Sequence, residues 1–450
     1  MSIFYNQFTI SLVRTVLYTL LKLSLNDSAP LLSQELSAMK VGLQAMLNDA
    51  NVDVRQSISQ RQLSISISAI AEEIGRSVPL NLCLILDHSG SMGGRPMETV
   101  KQAAQKLVDR LSPGDRISIV VFDHRAKVLV PNQVIENPAG IKLQISQLKA
   151  SGGTSIDEGL RLGIEELSHG KKETISQVFL LTDGENEHGS NDRCLKLAKL
   201  ATDYNMTINT LGFGDAWNQD VLEQIADAGG GSLSFIQKPE QAVEEFGRLF
   251  TRIQSVALTN AYLLLSLLPE VRLAELKPIA QVAPDTIELS VSQEHDRYVT
   301  RLGDLMVNDP RVVLVNLYLS QLAEGVQTIA QLQVRYDDPA QGKEGLLSEK
   351  ILVAVQAMSS YQPAPSLEVQ RYVLALAKYR QTKIAETKLQ MGDRSGAATM
   401  LQTAANTALQ MGDQGAATVL QSTATRLQSG EELSEADRKK TRIVSKTVLQ

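Results

Sequence analysis

Cysteine is scarce: Cys83 and Cys194 are the only two in 450 residues. Two cannot build a disulfide framework. With Cys83 in an apolar run and Cys194 in a helical pattern, both read as reduced core residues of a cytosolic protein. Net positive charge is lacking too. The formal balance is −6, which argues against a nucleic-acid or anionic-membrane partner. The one basic cluster is the C-terminal "DRKKTRIVSK". No GxxxxGK[ST] phosphate loop is present, so ATP hydrolysis by this chain is not expected, and no GxSxG elbow marks a hydrolase. Long apolar runs are missing as well. "FTISLVRTVLYTLLKLSL" comes nearest, but Arg14 and Lys22 interrupt it. Its uncharged stretches are too short to span a bilayer, and no cleavage motif follows. Residues 1–38 read as an extension, disordered or preceding a true start at Met39, and a cytoplasmic location is expected.

What is present is a globular composition, 43% apolar and 21% charged, in a chain long enough for two or three domains. Residues 39–78 carry alternating segments such as "QLSISISAIA", read as exposed or edge strands that pair with a later β domain. From residue 79 to 255 apolar strands alternate with amphipathic helices. "LNLCLIL", "RISIVVF", "ISQVFLLT", "TINTLGFG" and "SLSFIQ" are the strands, with "KVLV" as a short partner. "METVKQAAQKLVDRL", "SIDEGLRLGIEELSHG" and "NDRCLKLAKLATDYN" are among the helices. Strands apolar throughout, separated by helices, predict an α/β fold with a doubly wound, mainly parallel sheet covered on both faces. Residues 256–360 give strand after strand, including "TIELSVSQ", and predict an antiparallel β-sandwich. "SSYQPAPS" at 359–366 is a linker. Residues 361–430 are helical and repeat themselves: "LQMGDRSGAATMLQT" at 389–403 returns as "LQMGDQGAATVLQS" at 409–422. Two such units suggest a short helical bundle. Residues 431–450 form a basic tail.

The chemistry sits in three polar segments. "DHSGSM" ends the first strand with Asp87 and sets Ser89 and Ser91 at alternate positions. "SGGTSIDEG" contains Thr154, and "LLTDGENEHG" ends another strand with Asp183. In an open parallel sheet the ligand crevice lies at the carboxyl ends of the strands, where these segments fall. Two carboxylates and three hydroxyls are hard oxygen donors, suited to Mg²⁺ or Mn²⁺ rather than to zinc or copper.

These segments resemble the von Willebrand factor type A (VWA) domain and its metal-ion-dependent adhesion site (MIDAS), over about residues 79–255. The resemblance implies a Rossmann-like sheet with one short antiparallel edge strand, which "KVLV" fits. It implies that Ser89, Ser91 and Thr154 reach a metal through hydroxyls, and that Asp87 and Asp183 bind it directly or through water. With few anionic ligands the metal keeps positive charge and an open position, which a partner's acidic residue can fill. The flanking regions look like those of bacterial proteins with an internal VWA domain.

The expected function is therefore a metal-dependent protein-interaction scaffold and not an enzyme. Two alternatives stay open: a metal-dependent hydrolase, or an accessory subunit of a separate AAA-type ATPase. A hydrolase needs a general base, for which His88, His188 and Glu185 are the nearby residues. Both histidines read as exposed loop residues. Trp217, the only tryptophan, reads equally as an exposed partner anchor or as loop packing. Asp337 and Asp338 in "YDDP" and the pair Asp123 and His124 read as turn chemistry. In the tail, Ser434 can cap a short helix with Asp437, while Arg438 onward reads as an exposed, strand-like end. Thr441 and Thr447 follow basic residues there, in positions suited to phosphorylation and to a phosphopeptide-binding partner.

Overall fold

The computed structural model describes residues 40–70, 78–214, 216–307 and 309–447. The expected extension over residues 1–38 and the start at Met39 lie outside them. Among the described residues no helix is long and apolar enough to cross a membrane.

The central unit is a six-stranded sheet. Its order runs Ala126–Val134, Arg116–Phe122, Leu80–Asp87, Ile175–Thr182, Met206–Phe213, Gly230–Ile236. All neighbours are parallel except Ala126–Val134, which contains "KVLV" and pairs antiparallel at the edge. Every residue of Leu80–Asp87 and Ile175–Thr182 is buried, as a sheet covered on both faces requires. The pleat divides the side chains. Leu80, Leu82, Leu84 and Leu86 join a core with the helices Arg95–Arg110 and Ala242–Gln254. Cys83 and Ile85 join another with Ile156–Ser168, Asn191–Asp203 and Gln219–Ala228. Burial pushes both thiols, Cys83 and Cys194, up to about 12, so they stay neutral packing groups.

This α/β unit is inserted into the β-sandwich. One sandwich sheet runs Val41–Leu47, Ile58–Ala69, Arg311–Ser320, Ile279–Ala283, Ile287–Glu288, with Val271–Leu273 also on Arg311–Ser320. The other runs Ser292–Glu294, Arg297–Met306, Val256–Leu267, Gly325–Asp338, Ile351–Met358, Asn51–Asp53. Strands from both sides of the insertion thus close a single core, where Leu63, Ile65 and Ile67 meet Leu263, Leu265, Leu332 and Val334. Two expectations change here. "QLSISISAIA" is no edge: Ile58–Ala69 lies between Val41–Leu47 and Arg311–Ser320. Its small, exposed-looking serines lie among isoleucines that face the sandwich core. "TIELSVSQ" is two short strands, Ile287–Glu288 and Ser292–Glu294, one in each sheet.

The C-terminal region is helical: Leu367–Gln390, Arg394–Gln410, Gln414–Gln428 and Glu435–Lys446. The repeat "LQMGD" is the device that links the first three. Gly392 and Gly412, both at φ +79°, end one helix in the left-handed region that glycine tolerates. Asp393 and Asp413 then cap the next, accepting the amides of Gly396 at 2.8 Å and Ala416 at 2.9 Å. The tail departs from expectation. It is a helix through Lys446, opened by a capping box between Ser434 and Asp437, and not a strand-like end. Lys439, Thr441 and Ser445 are buried, and the Thr441 hydroxyl is engaged with Asp437 O and Thr423 Oγ1. Thr441 is therefore a buried, hydrogen-bonded helix residue and not part of an exposed end, whereas Thr447 is exposed. The basic residues that suggested a solvated end find acids on the helix Gln219–Ala228. Arg442 reaches Asp220 and Glu223, and Lys446 reaches Glu223 at 2.8 Å and Asp227 at 3.2 Å.

Candidate metal site

The strand order reverses around Leu80–Asp87, whose neighbours are Arg116–Phe122 and Ile175–Thr182, so the loops diverge there and leave a crevice. Asp87 ends the strand in this crevice. Its Oδ1 accepts the Ser89 amide at 2.8 Å, an Asx turn that bends the chain into the short turn Gly90–Met92. Its Oδ2 accepts the Thr182 hydroxyl at 2.5 Å. The Ser89 and Ser91 hydroxyls lie 3.0 Å apart, and Ser91 Oγ donates to Asp183 Oδ1 at 2.7 Å. A continuous polar chain therefore joins the first loop to the end of the neighbouring strand.

Thr154 is brought in by backbone bonds. Gly90 N donates to Gly152 O at 2.9 Å, Ser151 N to His88 O at 2.7 Å, and His188 N to Thr154 O at 3.0 Å. Gly152 is required: at φ +80° a Cβ would lie 2.8 Å from His124 Nδ1 and 3.0 Å from Asp123. A Cβ on Gly184 would stand 3.2 Å from Thr154 Oγ1 and 4.0 Å from Ser91 Oγ. Both hydroxyls thus converge beside Asp183, and all five expected oxygen-bearing residues share one edge.

The electrostatics of this edge are unusual. Asp87 is completely buried. Burial pushes its carboxyl up, and the hydrogen bonds from Thr182 and Ser89 offset only part of that. Burial, with the field of Asp87 added, raises Asp183 to about 6 despite the Ser91 bond. Among the described residues neither carboxylate forms an ion pair with Lys, Arg or His. Two buried acids side by side without a protein cation are costly unless something else neutralises them. The donor set suits a hard divalent cation. Among the described residues no three His, Cys, Asp and Glu side chains are grouped to hold a metal, because hydroxyls supply most of this set.

Other residues fall differently. His88 is buried, not exposed, with Nδ1 3.2 Å from Lys149 O and Nε2 3.9 Å from Asp123. Burial lowers its pKa. His188 is exposed as expected, its ring over Gly153. Trp217 is 2% exposed and offers no free anchor. It packs against Phe235, donates to Gly214 O at 2.7 Å, and carries the Lys439 ammonium 4.2 Å above its ring. Asp337 and Asp338 are structural: Asp337 gathers Asn205, Asn260 and the Gly345 amide, and Asp338 pairs with Lys40. Sequence reasoning missed Thr182 and Gly184. They flank Asp183 in "LLTDG", but only the paired strands show that Thr182 orients Asp87.

The family model of the von Willebrand factor type A domain matches residues 81–248. The one described as "Sll0103-like, C-terminal alpha-helical domain" matches residues 367–450. A Synechocystis sp. protein, described as uncharacterized protein sll0103, is 58% identical over 92% of this chain and 98% of its own length. The chain belongs to the sll0103-like VWA proteins. Solved structures extend the likeness of fold across nearly the whole molecule. A von Willebrand factor type A protein from Catenulispora acidiphila superposes with a TM-score of 0.76 over 92% of this chain and 99% of that one, at 16% identity. The ArnB paralog VWA2 from Sulfolobus acidocaldarius does so with 0.53 over 90% and 98%, also at 16%. The VWA domain inserted in a β-sandwich and followed by helices is thus an architecture shared at low identity.

Proposed function

We propose that this VWA protein is a cation-dependent docking scaffold, in which Asp87, Ser89, Ser91, Thr154 and Asp183 hold Mg²⁺ or Mn²⁺. The single observation that carries the reading is the pair of buried carboxylates, unneutralised by any described side-chain cation, within a ring of hydroxyls. A bound cation supplies residual positive charge and an open position for an acidic residue of a protein partner. The chain's residues do the rest. Thr182 and the Ser89 amide fix Asp87, Ser91 fixes Asp183, and the glycines at 152 and 184 let the loops approach. The reading assigns no catalysis, and what supports this is the lack of a placed base: His88 is buried with its ring engaged, while Glu185 and His188 are exposed without an orienting partner in the described structure. Calorimetric titration of the full chain with Mg²⁺ and Mn²⁺ tests the site. Asp87→Ala and the double change Ser89→Ala/Ser91→Ala should abolish binding while circular dichroism stays unchanged. Undiminished Mn²⁺ affinity in those variants would overturn the assignment.

A further inference from the structure

A cleft of about 450 Å³ lies between the metal edge of the VWA domain and the C-terminal helices. Its VWA wall is Glu185, Trp217 and their loops; its helical wall includes Leu389, Leu401 and Leu433. The volume is in the range of binding pockets; the lining is mixed, with Trp217, Leu389, Leu401 and Leu433 forming an apolar part among polar and charged side chains.

The two walls are tied together by ion pairs. Arg442 bridges the two walls, binding Glu386 in its own helical region at 2.8 Å and Asp220 and Glu223 on the VWA side. Lys446 adds Glu223 and Asp227, and Lys439 rests on Trp217. These contacts join the VWA wall to the helical wall on one side of the cleft.

Two features identify the occupant. Glu185 lines the cleft and is two residues from Asp183, so the mouth opens within about 7 Å of the metal edge along the backbone. Glu185 is also exposed and makes no ion pair among the described residues, unlike Asp220 and Glu386, which Arg442 neutralises. A segment entering past it is favoured when it carries a positive charge there.

From this geometry we propose that the cleft receives the partner segment adjoining the acidic residue that docks at the metal. The segment is an extended peptide with a carboxylate, then a Lys or Arg beside Glu185, then a large aliphatic side chain in the slot about two to four residues beyond the carboxylate, at ~3.3 Å per residue. The helical region is thereby half of the recognition surface. The inference rests on the docking reading of the metal site.

A random-peptide phage library panned on the full chain in Mg²⁺ and eluted with EDTA tests it. Eluted peptides should share an acidic, a basic and an aliphatic residue at fixed spacing. The synthetic consensus peptide should shift the emission of Trp217, the only tryptophan. Gln390→Phe, at an exposed cleft position, should weaken that peptide at least tenfold with metal affinity unchanged, and Glu185→Lys should reverse the preference for the basic residue. Acidic peptides without the aliphatic position, or insensitive to Gln390→Phe, would overturn the cleft and leave the metal reading standing. Peptides that need the slot but bind equally in EDTA would overturn the coupling between the two. A library yielding no EDTA-dependent binder would remove both.

Discussion

Two acidic clusters in this molecule are handled in opposite ways. At the metal edge Asp87 and Asp183 are buried together with hydroxyls but no described cation. On the helix Gln219–Ala228, Glu223 is just as buried, yet Lys446, Lys383 and Arg442 surround it. Burial pushes the Glu223 carboxyl up, but those three cations together more than reverse it and leave it below its ordinary range. The difference separates a charge the fold neutralises for itself from one it leaves for a ligand.

The sharpest way to break the comparison is to remove one member of the neutralised cluster. Glu223→Ala should cost about 3 kcal/mol in urea denaturation, the low end for breaking a buried pair, because Lys446, Lys383 and Arg442 lose their shared acid but keep Asp227, Glu386 and Asp220. A loss under 1 kcal/mol would show that the cluster is no better compensated than the metal edge.

The metal edge should respond with the opposite sign. A carboxyl raised from 3.8 to about 6 in the fold costs nothing below about pH 4 and progressively more up to pH 6, then a constant amount. In EDTA, Asp183→Asn should therefore stabilise the protein at pH 7, by on the order of 3 kcal/mol at most, and the gain should vanish near pH 4. Glu223 runs the other way: its depressed carboxyl contributes stability at neutral pH that is lost as pH falls through its folded value. Denaturation curves across pH 3–8 distinguish the two.

Cation should remove the penalty. At a hundredfold excess over Kd, Mg²⁺ should raise the stability of the wild-type chain by about 2.7 kcal/mol and leave Asp87→Ala unmoved. Differential scanning calorimetry reads this directly, and equal gains in both proteins would place the ion elsewhere.

The smallest contrast is within the repeat. Asp413 caps a helix and also holds the buried Lys378 ammonium at 3.2 Å, whereas Asp393 caps a helix and pairs with the partly exposed Lys388. Asp393→Ala should lower the melting temperature less than Asp413→Ala does. Equal shifts would mean that capping alone accounts for both.

Much of the site was legible because its signals are local. An apolar run ending in Asp87 or Asp183 marks a strand end, and the alternate serines mark a turn. The five residues came from three segments that the topology must bring to one edge. His88 was misplaced, and Trp217 was left open between anchor and loop packing, because burial depends on what another segment brings: the Lys149 carbonyl engages the imidazole, and Lys439 caps the indole ring. The serines of "QLSISISAIA" suggested an edge, because period-two alternation shows which face is apolar but not how many neighbours a strand has.

By itself, the sequence determined the periodicities: apolar strands with helices between, the alternating β segments, and the glycine–aspartate hinge repeated at 392–393 and 412–413. Those depend on backbone conformation and on which face of one element is apolar. Only the tertiary structure decided that the VWA domain sits inside a sandwich built from both its flanks. It also decided that the basic tail is a helix, since its neutralising acids lie about 220 residues earlier. Charge compensation is a property of distance in space, and no local pattern could show that Glu223 has its cations while Asp87 and Asp183 have none among the described residues.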